Sequence, residues 1–372
     1  MSKIVVQLDA YVIPDEHLVF KFSPGKTYRF YNTVKDAKTA FLDIRGLDAL
    51  DDDPKHWDDK ALLKLIAEDR WTRQLARAKR GYDTVGSAAV SRIDRRNLTF
   101  LKELVFDGKK GDLVVVPVDG YMKDVLIGEF TTDPGDVKRV IAKDGDYQHE
   151  YRGRPVRWLS AVEKRLFSGE MLKKLHNPNA IFVIGKSQRN EIYRHAYGNF
   201  VYDGECISEF HTSKHKFTSE DSAVASMWFN GFDVLRHSMA TNQQSSMSDD
   251  FYGMGLEKLP DRDAAELRIN INSPGAFGMQ SKDTFAFALM AFFALSGCEA
   301  KDVINQGVTV QLKTVGKAPK NCQLDIENTV NGMATALGDK RLQQACDLGV
   351  RAEKDAQMNT SATLKSGAKK RK

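Results

Sequence analysis

The amino-acid sequence predicts an α+β protein: a mixed first half built on a curled β-sheet, then a helical connector, then a C-terminal α/β module. Three observations predict it. Short runs rich in β-branched and aromatic residues crowd the first half: 112-DLVVVPV-118, 125-VLIGEFT-131, 155-PVRWL-159 and 180-AIFVIG-185. Longer runs with recognisable start signals, at 57–80, 217–239 and 285–297, have the length and pattern of helices. A chain of 372 residues also exceeds what one hydrophobic core usually organises.

In chain order, 18-LVFKF-22, 27-TYRFYN-32 and 39-TAFLDIRGL-47 read as strands separated by Ser-Pro-Gly and polar turns. On the second of these, Tyr28 and Phe30 would share one face, and Arg29 and Tyr31 the other. Asp53-Pro54 then opens a helix through 57-WDDKALLKLIAEDRWTRQLARAKR-80, stopped by Gly81; its first turn is acidic and its last basic, as the helix dipole favours. A second helix, or a pair of short turns, covers 91-SRIDRRNLTFLKELV-105, and a small helix at 160-SAVEKRLFSGEMLKKL-175 interrupts the later strands. Residues 1–186 are therefore expected to form one mixed domain.

Beyond it, Thr218 followed three residues later by Asp221, with Phe217 in front, is the signature of a capping box with a hydrophobic staple, and starts a helix to Met239. The stretch 240-ATNQQSSMSDDFYGMG-255 is polar and aperiodic and reads as a linker, so residues 187–262 form a connector. The module at 263–352 holds a strand 266-ELRININS-273, a Pro274-Gly275 turn, the apolar helix 285-FAFALMAFFALSG-297, a strand 308-VTVQLKTV-315 and a helix from Leu324 to Ala345. Residues 353–372 are expected to be a disordered basic tail.

The net charge of +5 is modest, but it is unevenly spread: Tyr151–Lys216 carries twelve Lys/Arg against six Asp/Glu, whereas Phe217–Ala264 carries three against eight. Cys206, Cys298, Cys322 and Cys346 lie far apart with no C-x-x-C pair, which argues against a zinc site or a disulfide framework and for a reducing, cytoplasmic setting. The N-terminal residues have no export-signal pattern, and the 285–297 run is too short to cross a bilayer, so no membrane partner is expected.

The succession FLKELVFDGKKGDLVVVP, a turn, VLIGEFTTDP, and then YRGRPVRWL, at Phe100–Pro117, Val125–Pro134 and Tyr151–Leu159, resembles the EVE-type PUA-like domain of modification-dependent restriction systems, including proteins of the Mrr type. The similarity covers roughly residues 18–186, and the 132–150 loop is expanded relative to the family pattern. It implies a curled barrel that grips a nucleic-acid base, often a modified one taken out of the stack, in a bacterial antiviral defence or restriction setting with a companion defence protein as a further partner. An extruded base needs an apolar or aromatic wall, fixed hydrogen-bonding groups, and cations for the flanking phosphates. Tyr28, Tyr31, Tyr121 and Trp158 are candidate walls and Asp43 a candidate acceptor; Arg29, Arg45, Arg152, Arg154, Arg157, Lys164 and Arg165 are candidate cations. Each has a plainer reading. Trp158, between Val156 and Leu159, is of the kind more often found in a core, Asp43 is equally suited to capping a turn, and the Arg152–Arg157 cluster to guarding a solvated strand edge.

An enzyme reading competes. Mrr-type nucleases set an Asp and a Gln-x-Lys on neighbouring strands around Mg²⁺ or Mn²⁺, and Asp302, Gln311 and Lys313 resemble that set, although the glycine-flanked acidic motif before it is absent. Otherwise no cofactor or metal is expected. The peptide Gly185-Lys186-Ser187 lacks the upstream glycine of a phosphate-cradling loop, Ala180 standing in its place, and His211 and His215 have no carboxylate at zincin spacing. A third reading is an oligomeric scaffold that self-associates through the apolar helix of the C-terminal module, which bears Phe285, Phe287, Leu289, Met290, Phe292, Phe293 and Leu295 on several faces.

Overall fold

A computed structural model describes residues 3–51, 53–79, 87–144, 147–244, 247–270, 275–313 and 322–366. The architecture is α+β, in two units: Glu16–Ala196 is one, and Met1–Asp15 together with Tyr197–Lys372 is the other. The first is thus inserted into the second after two strands, β1 (Ile4–Asp9) and β2 (Tyr11–Val12). Residues 1–15, expected to share a domain with residues 16–186, instead complete the C-terminal unit.

The inserted unit runs β3 (Val19–Phe22), α1 (Tyr31–Ala37), β4 (Thr39–Phe41), α2 (Asp59–Ala78), α3 (Arg92–Lys102), β5 (Leu113–Val116), β6 (Asp124–Phe130), β7 (Lys138–Asp144), β8 (Tyr147–Glu163), α4 (Gly169–Leu175), β9 (Ile181–Val183) and α5 (Arg189–Tyr197). One sheet takes the order β4-β8-β6-β5-β3-β9, with β7 also on β8. The 17-residue β8 bonds to β7 and β4 through its first half and to β6 through its second, with a register irregularity at Ile127/Gly128. A side chain could not sit at Gly128, because a Cβ there would come within 2.6 Å of both Trp158 and Val156. Phe20, Phe22, Phe30, Phe41, Phe130 and Tyr151 are buried together with Leu62, Ile66, Leu98 and Leu101 from α2 and α3. Asp58 caps α2 by accepting from the Ala61 N–H, and Ser91 and Asp94 form a reciprocal capping box on α3.

Four local expectations are overturned. Asp53-Pro54 opens only a 3₁₀ turn at Pro54–His56, and α2 starts afresh at Asp59 behind Asp58; the segment 132–150, expected as an expanded loop, holds β7 and the start of β8. The run 27–32 is not a strand: a 3₁₀ turn at Lys26–Tyr28 leads into α1, because Thr27 and Tyr28 both take positive φ (52° and 58°) and break any extended path. The segment 160–175 is strand as far as Glu163, and its helix is confined to α4, capped by Ser168.

The split unit continues with β10 (Phe200–Tyr202), β11 (Glu205–Thr212), α6 (Ser219–Ala240), α7 (Phe251–Leu256), β12 (Glu266–Asn270), β13 (Gly275–Ser281), α8 (Phe285–Leu295), α9 (Ala300–Gln306), β14 (Val308–Lys313), α10 (Cys322–Lys354, interrupted at Gly338), β15 (Met358–Asn359) and β16 (Thr363–Ser366). Its sheets are β14-β1-β16 and β12-β13-β11-β10-β2, with β15 on β11. The capping box of Thr218 and Asp221 starts α6. The stretch 240–255 is no free linker: α7 lies in it, and Met247, Phe251 and Met254 are buried in the same core as α6 and α8. Residues 353–366 are not a loose tail either, since β15 and β16 add to the two sheets; the basic residues Lys369–Lys372 lie outside the described residues. Ten of the eleven residues of α8 are buried, including its seven large apolar side chains, so α8 is an internal helix and presents no apolar face to a second subunit. Among the described residues no helix is long and apolar enough to cross a membrane.

Candidate nucleic-acid interface

Alternate residues of a strand face opposite sides, and this sorts the cations of β8. Arg152 and Arg154 turn inward and are buried, while Arg157 faces out. The Arg154 guanidinium is fully buried. Its Nη1 donates to the carbonyls of Leu104 (3.4 Å), Val105 (3.2 Å) and Gly108 (2.8 Å) and its Nη2 to that of Thr132 (2.6 Å), and it lies 4.6 Å from the centre of the Phe130 ring. Leu104 and Val105 sit in a π-turn at Glu103–Asp107 that follows α3, where backbone carbonyls lose their helical partners. Arg154 is therefore a structural clasp and not a phosphate contact. Lys164 is also buried, donating to the Val118 carbonyl with His176 Nε2 at 3.4 Å; burial depresses its pKa against the opposing pull of Asp119. Arg152 lies 3.7 Å from Glu150.

The expected aromatic walls are committed elsewhere as well. Trp158 donates from Nε1 to the Lys35 carbonyl (2.9 Å) and packs on the sheet core. Tyr31 donates to the Asp124 carbonyl (2.7 Å), and burial, reinforced by the Asp124 carboxylate, pushes its pKa up to about 12. Arg157 pairs with Glu129 (2.7 Å) and Arg165 with Glu163, both on the surface, and Tyr121 is exposed at the β5–β6 turn. The interior of the curled sheet is filled by its own aromatic side chains, and Arg154 is fully buried there against the Phe130 ring.

The opening lies on another side of the inserted unit. A cleft of about 940 Å³ is bounded by α2, α3, the Asp43–Arg45 segment after β4 and the start of β8. It brings together three of the expected residues, Arg29, Asp43 and Arg45, and adds four arginines that the charge pattern alone did not single out: Arg70, Arg73, Arg77 and Arg96. With Lys26, seven cationic side chains line it against two carboxylates, Asp43 and Asp69, among the described residues. Helical spacing produces this. Ile66, Arg70, Arg73 and Arg77 recur at intervals of four, three and four and so share one face of α2, while Ile93, Arg96 and Asn97 share one face of α3. That spacing is visible in the chain, although the helix dipole by itself already accounts for a basic end to α2.

The carboxylates hold part of this charge in place. Asp43 pairs with Arg29 (2.5 Å) and Arg73 (2.8 Å), and Asp69 pairs with Arg73 (2.9 Å) and more loosely with Arg45 (3.9 Å). Burial works against the Arg73 charge, but Asp69 and Asp43 outweigh it and leave the pKa of Arg73 above its ordinary value. Arg70 is pinned by the buried Asp94 (2.9 Å) and by the carbonyls of Ser87 and Ala89. Arg77 and Arg96 are exposed, as is Lys26; neither Arg96 nor Lys26 has a carboxylate partner among the described residues, and Arg96 lies 5.7 Å from the Phe100 ring centre. The far wall carries the exposed Tyr147 and the half-buried His149, ring centres 6.5 Å apart on alternate positions of β8. Burial, with Arg45 and Arg73 adding to it, lowers the pKa of His149, so its ring is neutral at pH 7.

A smaller pocket of about 260 Å³ shares Lys26, Asp43, Ile44 and Asn97 with the cleft and continues past Leu42 and Phe100 to Ser23 and Pro178. Gly25 at its rim takes φ of 77°, and a Cβ there would meet the Phe30 ring at 2.9 Å.

In the split unit, Asp302 lies in the first turn of α9 and not on a strand, whereas Gln311 is exposed on β14; Lys313 ends that strand, opposite Asp9 of β1, and its side chain is outside the described ones. Among the described residues no group of three or more His, Cys, Asp or Glu side chains is gathered so that it could hold a metal ion. Comparison with protein-family models, with curated proteins and with solved structures returned no match to this chain.

Proposed function

We propose that the protein binds nucleic acid through the cleft between α2 and α3. The observation that carries this is the imbalance of seven cationic side chains against two carboxylates in one concave space. An excess of that kind, lying between low-dielectric walls, concentrates a polyanion and releases its counterions on binding. Arg77, Arg96 and Lys26 are the phosphate contacts, because they are exposed at the cleft. Arg29, Arg45 and Arg73, held by Asp43 and Asp69, form a fixed positive floor. Tyr147 and His149 offer rings on which an unpaired base can stack, which favours a single strand or an extruded nucleotide over an intact duplex. A modified base in DNA, in a defence or restriction setting, is the specific form of this proposal that the resemblance to the EVE-type domain suggests.

The test is fluorescence anisotropy with labelled single-stranded DNA, duplex DNA and RNA across a salt series. Binding should weaken steeply with salt. Replacing Arg77 and Arg96 together with alanine should reduce the slope on a single strand by about 1.4, at roughly 0.7 per phosphate contact. Absence of binding at low salt, or a slope that the double variant leaves unchanged, removes the proposal. Matched oligonucleotides with and without a modified base then decide the narrower form.

A further inference from the structure

Ser23 lines the smaller pocket and is hydrogen-bonded to Lys21, a buried side chain outside the pocket lining; nucleic-acid binding uses neither. Lys21 lies on β3 and Ser23 directly follows that strand, two residues on, with their side chains in hydrogen-bond contact. Lys21 is completely buried, and no carboxylate is ion-paired with it among the described residues. Its Nζ has three polar partners: Ser23 Oγ (2.5 Å) and the carbonyls of Asn177 (2.7 Å) and Asn179 (2.8 Å). The turn that presents these carbonyls is set by the Asn177 side chain, which accepts from the Asn179 N–H (2.9 Å), and Pro178 between them lines the pocket.

The partner set has a chemical meaning. A carbonyl can only accept, so the two asparagine carbonyls take two N–H bonds from the amine. Of the three partners only the Ser23 hydroxyl can also donate. As an ammonium, Lys21 meets these partners with three N–H donors, one of them on Ser23 Oγ; as a neutral amine it keeps two on the carbonyls and turns its lone pair to the Ser23 proton. Burial without a carboxylate favours that neutral form, and the Lys21 pKa falls to about 8. A serine hydroxyl hydrogen-bonded to a desolvated amine is the arrangement of a nucleophile and its general base. Ser23 reaches the pocket, whose remaining walls include apolar Leu42, Ile44 and Phe100 and the amide-bearing Asn97.

The geometry points to an acyl-transfer site in which Ser23 is the nucleophile and Lys21 the general base, acting on a carboxylic ester with a small apolar acyl group. As Ser23 Oγ bonds to the carbonyl carbon, Lys21 Nζ takes the hydroxyl proton. Collapse breaks the bond to the alkoxy group, which leaves with that proton as the alcohol. Water then gives a proton to Lys21 while its oxygen attacks the acyl-serine. The serine oxygen departs, recovers the proton, and the carboxylic acid is released. The sum is ester plus water giving acid plus alcohol, with no further reactant. Asn97 and Lys26, which line the same pocket, supply N–H donors for the oxyanion.

The full-length chain is to be treated with a fluorophosphonate probe and, separately, with p-nitrophenyl acetate and butyrate. We expect one covalent adduct per chain, located by peptide mass mapping at Ser23 and absent in Ser23→Ala. Hydrolysis above the Ser23→Ala background should rise about 90-fold from pH 6 to pH 9, following the neutral fraction of an amine with a pKa of about 8. Lys21→Met, checked for folding by circular dichroism, should lose both signals; if that variant does not fold, the pH profile of the wild-type chain serves in its place. An adduct on another residue, no adduct at pH 9, a flat profile, or a folded Lys21→Met that reacts at the wild-type rate overturns the assignment.

Discussion

Two arginine triplets in the inserted unit, Arg152, Arg154 and Arg157 on β8 and Arg70, Arg73 and Arg77 on α2, look much alike as a run of letters, yet they meet opposite fates. On the strand the period of two sends Arg152 and Arg154 into the protein and Arg157 out of it, so the triplet is dispersed. On the helix, spacings of three and four keep all three arginines on one side, where they line a cleft. The environments differ too. Arg154 is fixed by four carbonyls that demand a donor, whereas Arg73 is fixed by two carboxylates that compensate its charge and leave space beside it. A cluster of positive charge lines an open cleft only when the period of its element gathers it on one face.

The largest expected effect breaks the strand side of this comparison. Arg154→Ala removes a donor from four carbonyls, of which that of Val105 keeps the Gly135 N–H, and opens a space against Phe130; it should lower stability by about 4 kcal/mol. Urea unfolding followed by circular dichroism measures it. A loss below about 1 kcal/mol would mean that Arg154 is not the clasp described and is available to a ligand.

Lys21 extends the same contrast to a second buried cation held by carbonyls. Its pKa is lowered from 10.5 to about 8, so between those values the unfolded chain binds more protons than the folded one. Stability from this group therefore rises with pH through that window, by roughly 3 kcal/mol over its full width, and is lost as pH falls through 8. The difference between wild-type and Lys21→Met stability, measured from pH 7 to pH 10, should slope accordingly. Taking the difference cancels Tyr31, whose raised pKa of about 12 makes stability fall above pH 10. A flat difference curve would show Lys21 to be charged in the fold and would leave Ser23 without its base.

The helix side is sharpened by Arg77→Ala and Arg96→Ala. Both residues are exposed, so each substitution should change stability by less than about 0.5 kcal/mol while lowering the salt slope of binding by about 0.7 on a single strand. A stability loss as large as that of Arg154→Ala would place these side chains in the architecture, on the same footing as the strand arginines.

The α+β class, the positions of α2, α3 and α6, and the capping box of Thr218 and Asp221 were legible because they depend on local pattern: a cap residue, an apolar period, a proline or glycine at a boundary. What could not be read depended on partners distant in sequence. The strands β10, β11 and β13 carry few of the marks of an isolated strand and are ordered by pairing with one another; residues 1–15 join the C-terminal unit through β1 lying parallel to β14. The site was legible only in part for the same reason. Arg29, Asp43 and Arg45 do line the cleft, but the element carrying Arg29 is a turn and helix where a strand was expected, and nothing local in the chain announces that α2 and α3 stand on either side of those residues. Within LVFKF nothing local marks Lys21 as buried; its partners, the carbonyls of Asn177 and Asn179, lie more than 150 residues away.

The smallest expected effect decides whether period alone accounts for the contrast. Arg157 is the outward-facing arginine of the β8 triplet, and its pair with Glu129 is on the surface, where such pairs contribute little. Arg157→Ala should change stability by less than about 0.5 kcal/mol and leave both affinity and salt slope as they are, because Arg157 does not line the cleft. Anisotropy titrations of this variant beside Arg77→Ala measure the difference between an exposed arginine and an exposed arginine in a concave site. If Arg157→Ala weakens binding as much as Arg77→Ala does, the polyanion lies along the outer face of β8, and exposure, not enclosure by α2 and α3, is what selects the contacts.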